Sequence, residues 1–106
     1  MRRDPFQAIA DPTRRAILML LAVNTMTAGG IADHFAVSRQ AVSKHLQIMT
    51  ECQVVSPVQQ GREIHYQLNP DRLAELDQWL SQFRHLLGQR FNQLDDVLIQ
   101  LKEKPV

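Results

Sequence analysis

Two short helical segments lie close together near the middle of the chain, and their spacing leaves few folds open to it. Thr27 and Ser38 are residues that favour helix N-caps, because their hydroxyl oxygens can accept from free backbone N–H groups. Apolar residues recur at helical spacing behind these caps: Ile31, Ala32 and Phe35, then Val42, Leu46 and Met49. Only Ala36 and Val37 separate the first segment from the second cap, so the second helix must leave at a steep angle. Residues from about 27 to 52 are therefore predicted to form a helix-turn-helix.

Alternating apolar and polar residues follow this unit. The apolar positions on either side of Gly61 are Val54, Val55 and Val58, then Ile64, Tyr66 and Leu68. Because both runs flank a turn that contains glycine, residues 54–68 are predicted to form a two-stranded hairpin. Pro57 has no N–H group to donate to a ladder, so it should lie at the exposed edge of this ribbon. A helix-turn-helix followed by a hairpin is the layout of a winged helix, and the predicted fold class is mainly α with a small β-hairpin.

Two further helices are predicted from an identical opening signal, an N-cap residue followed by proline. Asp11 and Pro12 open a helix with a buried apolar face that ends near Asn24, and a short turn around residues 6–10 precedes it. Asn69 and Pro70 open the last helix. Arg14 and Arg15, near the start of the earlier helix, leave two interpretations open: they approach a DNA backbone, or they make ion pairs within the fold.

The last segment, from about residue 70 to 102, carries apolar residues at gaps of three and four, the spacing of a coiled coil. As one helix it would be roughly 50 Å long, whereas a domain of this size has a radius of gyration of about 13 Å. One small domain cannot cover such a helix, so we expect a homodimer, although Gly88 could break the helix. The residues predicted to form the dimer interface are Leu73, Leu76, Leu80, Phe83, Leu87, Phe91, Leu94 and Leu98.

The second helix of the helix-turn-helix has a polar face with the chemistry of a DNA-reading surface. Arginine and glutamine can contact guanine and adenine edges in a bidentate manner, and serine, lysine and histidine suit phosphates or single acceptors. The face contains no acidic residue and consists of Ser38, Arg39, Gln40, Ser43, Lys44, His45 and Gln47. Arg62 follows Gly61 at the hairpin tip, where a wing can reach a phosphate or the minor groove.

These residues resemble the ArsR-type winged-helix transcriptional repressors across nearly the whole chain. The resemblance rests on Asp-Pro-Thr-Arg-Arg at 11–15, Val-Ser-Arg-Gln-Ala-Val-Ser-Lys-His-Leu at 37–46, and Gly-Arg before Tyr66. It is greatest for a branch that has Leu-Asp-Gln-Trp-Leu and Arg-Phe-Asn-Gln-Leu-Asp in its last helix, here at 76–80 and 90–95. The family implies a homodimer that binds an inverted-repeat operator, with the first and last helices at the dimer interface. By position it assigns DNA contact to Ser38, Arg39, Gln40, Ser43, Lys44, His45 and Arg62.

The sequence departs from this family in ways that bear on its effector and its operator. The thiolate pair of the metal-sensing members would fall at Thr27 and Gly29, which cannot bind a soft metal. The last helix offers only His85 where the second type of metal site needs paired ligands, so no metal site and no cofactor is predicted. Gln53 stands where a glycine often ends the recognition helix, and Arg-Gln-Ala at 39–41 replaces a common Gln-Pro-Thr, so no operator sequence can be inferred.

Composition and charge bound the remaining function classes. The chain of 106 residues, 44% of them apolar, suits a single winged-helix domain over 1–106. Its formal charge of +1 does not itself indicate nucleic acid, but residues 34–50 contain Arg39 and Lys44 and no acid. Cys52, the single cysteine, is interpreted as a packing residue and favours a reducing, cytoplasmic setting, and no apolar run is long enough for membrane insertion.

No nucleophile motif or glycine-rich phosphate loop is present, so we predict no enzyme activity. The prediction is a DNA-binding repressor that responds to an unidentified protein or small-molecule effector. Two alternatives remain: a winged helix that binds protein through its long terminal helix, and a metal- or redox-responsive regulator with an unrecognised site.

Overall fold

A computed structural model describes residues 3–103 of the chain. The elements in chain order are α1 (Pro5–Ala8), α2 (Pro12–Val23), β1 (Met26–Thr27), α3 (Ala28–Ala32), α4 (Arg39–Glu51), β2 (Val55–Gln60), β3 (Glu63–Leu68) and α5 (Pro70–Glu103). By its internal contacts the chain divides into two units, one that ends at Leu76 and one that begins at Asp77. Helices predominate over a small sheet, which confirms the predicted fold class.

The helices begin where the predicted N-caps lie. The carboxylate of Asp11 accepts hydrogen bonds from the backbone N–H groups of Thr13 at 2.8 Å and Arg14 at 3.1 Å. Thr27 caps α3 through Gly30 N–H at 3.0 Å, and Ser38 caps α4 through Ala41 N–H at 3.1 Å. These bonds satisfy donors that have no partner inside the helix, so the three helix starts are set by local sequence.

The sheet is antiparallel with strand order β1-β3-β2. The predicted ribbon of two strands is incomplete, because Met26 pairs with Tyr66 and Thr27 pairs with His65 along the other edge of β3. A strand of two residues is too short to show alternation, so the sequence contained no signal for it. Pro57 lies in β2, at the opposite edge of the sheet, as its missing N–H group requires.

The core of the first unit lies between α2, α3, α4 and the start of β2. The residues with 0% exposure include all three that were predicted to form the buried face of α4, Val42, Leu46 and Met49, together with Ile17 of α2 and Ile31 of α3. This packing fixes α4 against the other helices and leaves the opposite side of α4 to solvent.

A left-handed residue ends α4. Gln53 follows the helix with φ of +64°, a conformation that glycine adopts with less strain. The side chain of Asn69 holds this turn, because its Nδ2 donates to the carbonyl of Gln53 at 2.7 Å and its Oδ1 accepts from the Ser56 hydroxyl at 2.7 Å. Asn69 directly precedes α5, as predicted. Its side chain, however, forms these two hydrogen bonds, which connect the end of α4 to the wing.

The last helix, α5, continues through Gly88 without a break. Its first residues belong to the first unit, where Leu73 packs against the core and Leu76 is 7% exposed. From Asp77 onward its large apolar side chains are exposed. Among the described residues, no helix has the combination of length and apolar character that a membrane span needs.

Candidate nucleic-acid interface

The solvent side of α4 carries five polar side chains that line one open groove of about 540 Å³. All five are exposed, and none is acidic: Arg39, Gln40, Ser43, Lys44 and Gln47. Their successive gaps of one, three, one and three residues keep them on one side of the helix, because an α-helix has 3.6 residues per turn. Ser38 stands at the N-terminal end of this face, where its oxygen caps the helix.

A second cavity of about 330 Å³ lies between the starts of α3 and α4 and the wing. Arg39 and Arg62 both line it, the first from α4 and the second from the wing tip. The guanidinium of Arg39 lies over Gly29, with its Cζ 3.5 Å from the position that a Cβ would take at residue 29. At this distance a Cβ at residue 29 would make ordinary van der Waals contact with the arginine, so Arg39 packs closely over the start of α3.

The wing tip places Arg62 in solvent. Gly61 turns the chain with φ of +63°, a conformation that costs glycine little, and Arg62 follows in an exposed position. The other lining residues of the second cavity are Thr27, Ala28, Glu63, Ile64 and Tyr66, which the sequence analysis did not assign to the interface. Thr27 and Tyr66 could have been assigned to this cavity only if β1 had been predicted, because the pairing of β1 with β3 brings this part of the chain to the wing.

The arginines and the lysine of residues 3–76 fall into two groups. Four arginines are held inside the fold: Arg3 by Glu51, Arg14 by the carbonyls of Gln7 and Ala8, Arg15 by the carbonyl of Ile9, and Arg72 by Glu75 and the carbonyl of Cys52. By contrast, Arg39, Lys44 and Arg62 form no hydrogen bond or ion pair with any described residue. Within residues 3–76, the cations that remain available to an external anion are thus those on α4 and the wing.

His45 takes a different direction from the rest of the predicted reading face. Its side chain is 22% exposed and lies against the start of α2, with Nδ1 3.4 Å from Nη1 of Arg14 and Nε2 4.0 Å from Oδ2 of Asp11. The backbone N–H of Arg14 lowers the pKa of Asp11 most, and desolvation, the next largest effect, opposes it. The backbone N–H of Thr13 and the nearby side chains of His45 and Arg14 lower the pKa further. Asp11 therefore faces His45 as a carboxylate at neutral pH.

Metal or redox regulation would use thiol, imidazole and carboxylate groups. Cys52 is fully buried at the end of α4, and this burial raises the pKa of its thiol, which disfavours the reactive thiolate. Within residues 3–103, no three His, Cys, Asp or Glu side chains form a group that could hold a metal ion. His34 contacts the carbonyl of Gly30 at 2.9 Å, and His65 lies 4.0 Å from Glu63.

Known proteins share this arrangement. Residues 11–56, which include α2, α3 and α4, match the family model described as "Bacterial regulatory protein, arsR family". The chain is 45% identical over 78 residues to the transcriptional repressor SdpR of Bacillus subtilis (strain 168), a match that covers 74% of this chain and 87% of SdpR. The chain belongs to the ArsR family. The resemblance inferred from its motifs is thereby confirmed.

Other ArsR-like proteins agree with this assignment. The HTH-type transcriptional regulator Rv2034 of Mycobacterium tuberculosis is 41% identical over 78 residues, which cover 74% of this chain and 73% of that protein. A crystal structure described as a possible transcriptional regulator for arsenical resistance superposes with a TM-score of 0.71 at 35% identity, over 82% of this chain and 96% of the other. ArsR-family proteins are DNA-binding regulators and not enzymes, and this member is a DNA-binding transcriptional repressor.

Proposed function

We propose that this repressor acts as a homodimer that inserts α4 of each protomer into the major groove of an inverted-repeat operator. The observation that carries the proposal is the grouping of Arg39, Lys44 and Arg62, the three basic side chains of residues 3–76 without a described partner, on α4 and the wing. Two-fold symmetry would set the half-sites about one helical turn, roughly 34 Å, apart. We expect this function in the cytoplasm, where the lone Cys52 stays reduced.

Within each half-site, the two cavities suit different parts of DNA. The groove on α4 offers Gln40, Ser43 and Gln47 as donors and acceptors for base edges, and Lys44 beside them as a cation for a flanking phosphate. The second cavity has Arg39 on one side and Arg62 on the other, an arrangement that fits a backbone phosphate between recognition helix and wing. The phosphate contacts would fix the position of α4, and the groove contacts would select sequence.

The dimer proposal is supported by the apolar surface of the second unit. Six of the eight predicted interface residues are between 36% and 60% exposed in the single chain: Leu80, Phe83, Leu87, Phe91, Leu94 and Leu98. Trp79 and Phe83 stack with ring centroids 5.2 Å apart and extend this surface. Contiguous apolar patches this long are uncommon on monomers and are typical of interfaces. The other two predicted residues, Leu73 and Leu76, pack inside the first unit. We propose that they hold the start of α5 and make no contact across the dimer interface.

Selection of bound fragments from the source genome tests operator and symmetry together. We expect the enriched sequences to share an inverted repeat, and a duplex with one half-site to bind far more weakly than the full repeat. Enrichment of an asymmetric single site that binds one protomer would contradict the proposal.

The interface is tested by a charge placed on the apolar stripe. Leu94→Asp should convert the dimer into a 12.2 kDa species in light scattering, because Leu94 is 55% exposed and the change costs the isolated chain little. Asn92→Asp introduces an identical charge two residues away, at an exposed position off the stripe, and should leave the dimer intact. A wild-type protein of 12.2 kDa at micromolar concentration would refute the homodimer.

A further inference from the structure

The side chain of His45 lies between Arg14 of α2 and Asp11, the N-cap of that helix, and does not line the open groove of α4. Arg14 approaches its Nδ1 at 3.4 Å, and Asp11 lies 4.0 Å from its Nε2. Arg14 is itself immobilised, because its Nε donates to the carbonyl of Ala8 at 3.2 Å and its Nη2 to the carbonyl of Gln7 at 2.8 Å. The contact therefore links α4 to both N-terminal helices.

The chemistry of this contact fixes the roles of the two imidazole nitrogens. A guanidinium has five N–H donors and no acceptor, so a hydrogen bond between Arg14 and Nδ1 requires the lone pair of Nδ1 as its acceptor. The proton of the neutral ring then resides on Nε2, which faces the Asp11 carboxylate. A phosphate contact would also need a proton on the ring, and Nε2 is the nitrogen that the fold already directs towards Asp11.

We propose that His45 is a positioning residue, which sets the rotation of α4 through Arg14 and makes no contact with DNA. Its side chain lies on the flank of α4 that borders the buried residues Val42 and Leu46, so its anchoring decides how far Ser43 and Gln47 turn towards a groove. Arg14 acts with it as the second positioning residue. This inference rests on the proposed docking of α4 in DNA.

Two conservative substitutions separate positioning from DNA contact. Asparagine at 45 presents its amide oxygen near the place of Nδ1, whereas glutamine extends its amide towards the place of Nε2. If His45 acts through Arg14, His45→Asn should bind operator within about twofold of wild type, and His45→Gln should lose about tenfold, the loss of one charge-assisted hydrogen bond. The reverse order would show that Nε2 contacts DNA and would overturn the proposal.

A cation at the same position gives an independent test. His45→Lys places a second positive charge beside Arg14, so we expect weaker operator binding at 0.1 M salt with an unchanged dependence on salt. A residue that contacts phosphate would respond in the opposite way, with tighter binding and a log–log salt slope steeper by about 0.9 for each phosphate. That response would refute a positioning role.

Folding and docking are checked separately. Should His45→Lys fail to fold by circular dichroism, the asparagine and glutamine pair decides, together with the nitrogen-15 shifts of the wild-type ring. These shifts should show the Nε2–H tautomer and stay unchanged on addition of operator; a protonated ring or a large change on binding would overturn the proposal. Lys44→Ala tests the docking of α4 itself, so loss of the proposed function and failure of this inference remain distinguishable.

Discussion

The division between available and internally held cations predicts which basic residues control the salt dependence of DNA binding. Lys44→Gln removes one charge that has no partner among the described residues, whereas Arg15→Gln removes one that is held 2.8 Å from the carbonyl of Ile9. Both changes lower the charge of a protomer equally. The two variants differ in one respect: the lysine can contact a DNA phosphate and release its counterion, whereas the arginine is bonded within the fold.

The expected magnitude follows from counterion release. Each lost phosphate contact lowers the slope of log affinity against log salt by about 1, and a dimer loses two, so Lys44→Gln should flatten the slope by about 2. Over a fourfold rise in salt, wild-type affinity should therefore fall about 16-fold more than that of the variant. Arg39→Gln and Arg62→Gln should behave similarly, whereas Arg15→Gln should retain the wild-type slope.

Fluorescence anisotropy with a labelled operator, measured between about 50 and 200 mM salt, provides these slopes. Binding to a scrambled duplex gives the sequence-independent part of the affinity and of its salt dependence. If Arg15→Gln flattens the slope as much as Lys44→Gln, the start of α2 also contacts the DNA backbone. In that case, the distinction drawn from internal hydrogen bonds would be wrong.

Three further predictions concern the scaffold that presents this face. Met49→Ala should lower the free energy of unfolding by about 2–5 kcal/mol in urea titrations, because Met49 is fully buried, whereas Met19→Ala, at a 73% exposed position, should have little effect. Gln53→Gly should raise the free energy of unfolding by about 0.5–1 kcal/mol, because glycine adopts the left-handed conformation with less strain. A destabilised variant would contradict this prediction. The folded-state pKa of Asp11 lies below its ordinary 3.8, so its contribution to stability is present above that pH and lost as pH falls through the lowered pKa. Asp11→Asn should therefore lose less stability than wild type as the pH is lowered. The same fall of the urea midpoint below pH 4 in wild type and variant would refute this prediction.

The elements that could be predicted from the sequence are those with local physical causes. The caps at Asp11, Thr27 and Ser38 are hydrogen bonds between neighbours in the chain, and the buried face of α4 follows from helical spacing. The wing follows from alternation around Gly61. Each of these signals lies within a window of a few residues.

The features that the sequence left open depend on distant residues. The strand β1 exists because Met26 meets Tyr66, forty residues along the chain. The side chain of His45 shares the polar composition of its neighbours, and only the placement of Arg14 beside it shows that it faces α2. Of the two interpretations of Arg14 and Arg15, the structure supports the internal one, with backbone carbonyls and not carboxylates as the partners.

Net charge is a poor guide to this protein because four arginines of residues 3–76 are bonded within the fold. The chain has 12 basic and 11 acidic residues, a balance that by itself predicts weak attraction to DNA. A cation that is bonded within the fold has already exchanged its water for protein oxygens, so DNA can recruit it only at the cost of that contact. Arg39, Lys44 and Arg62 carry no such cost among the described residues, and they occur on the two elements that a winged helix presents to DNA. An operator therefore meets a locally basic surface on a nearly neutral protein, which favours binding at the proposed site over adsorption elsewhere.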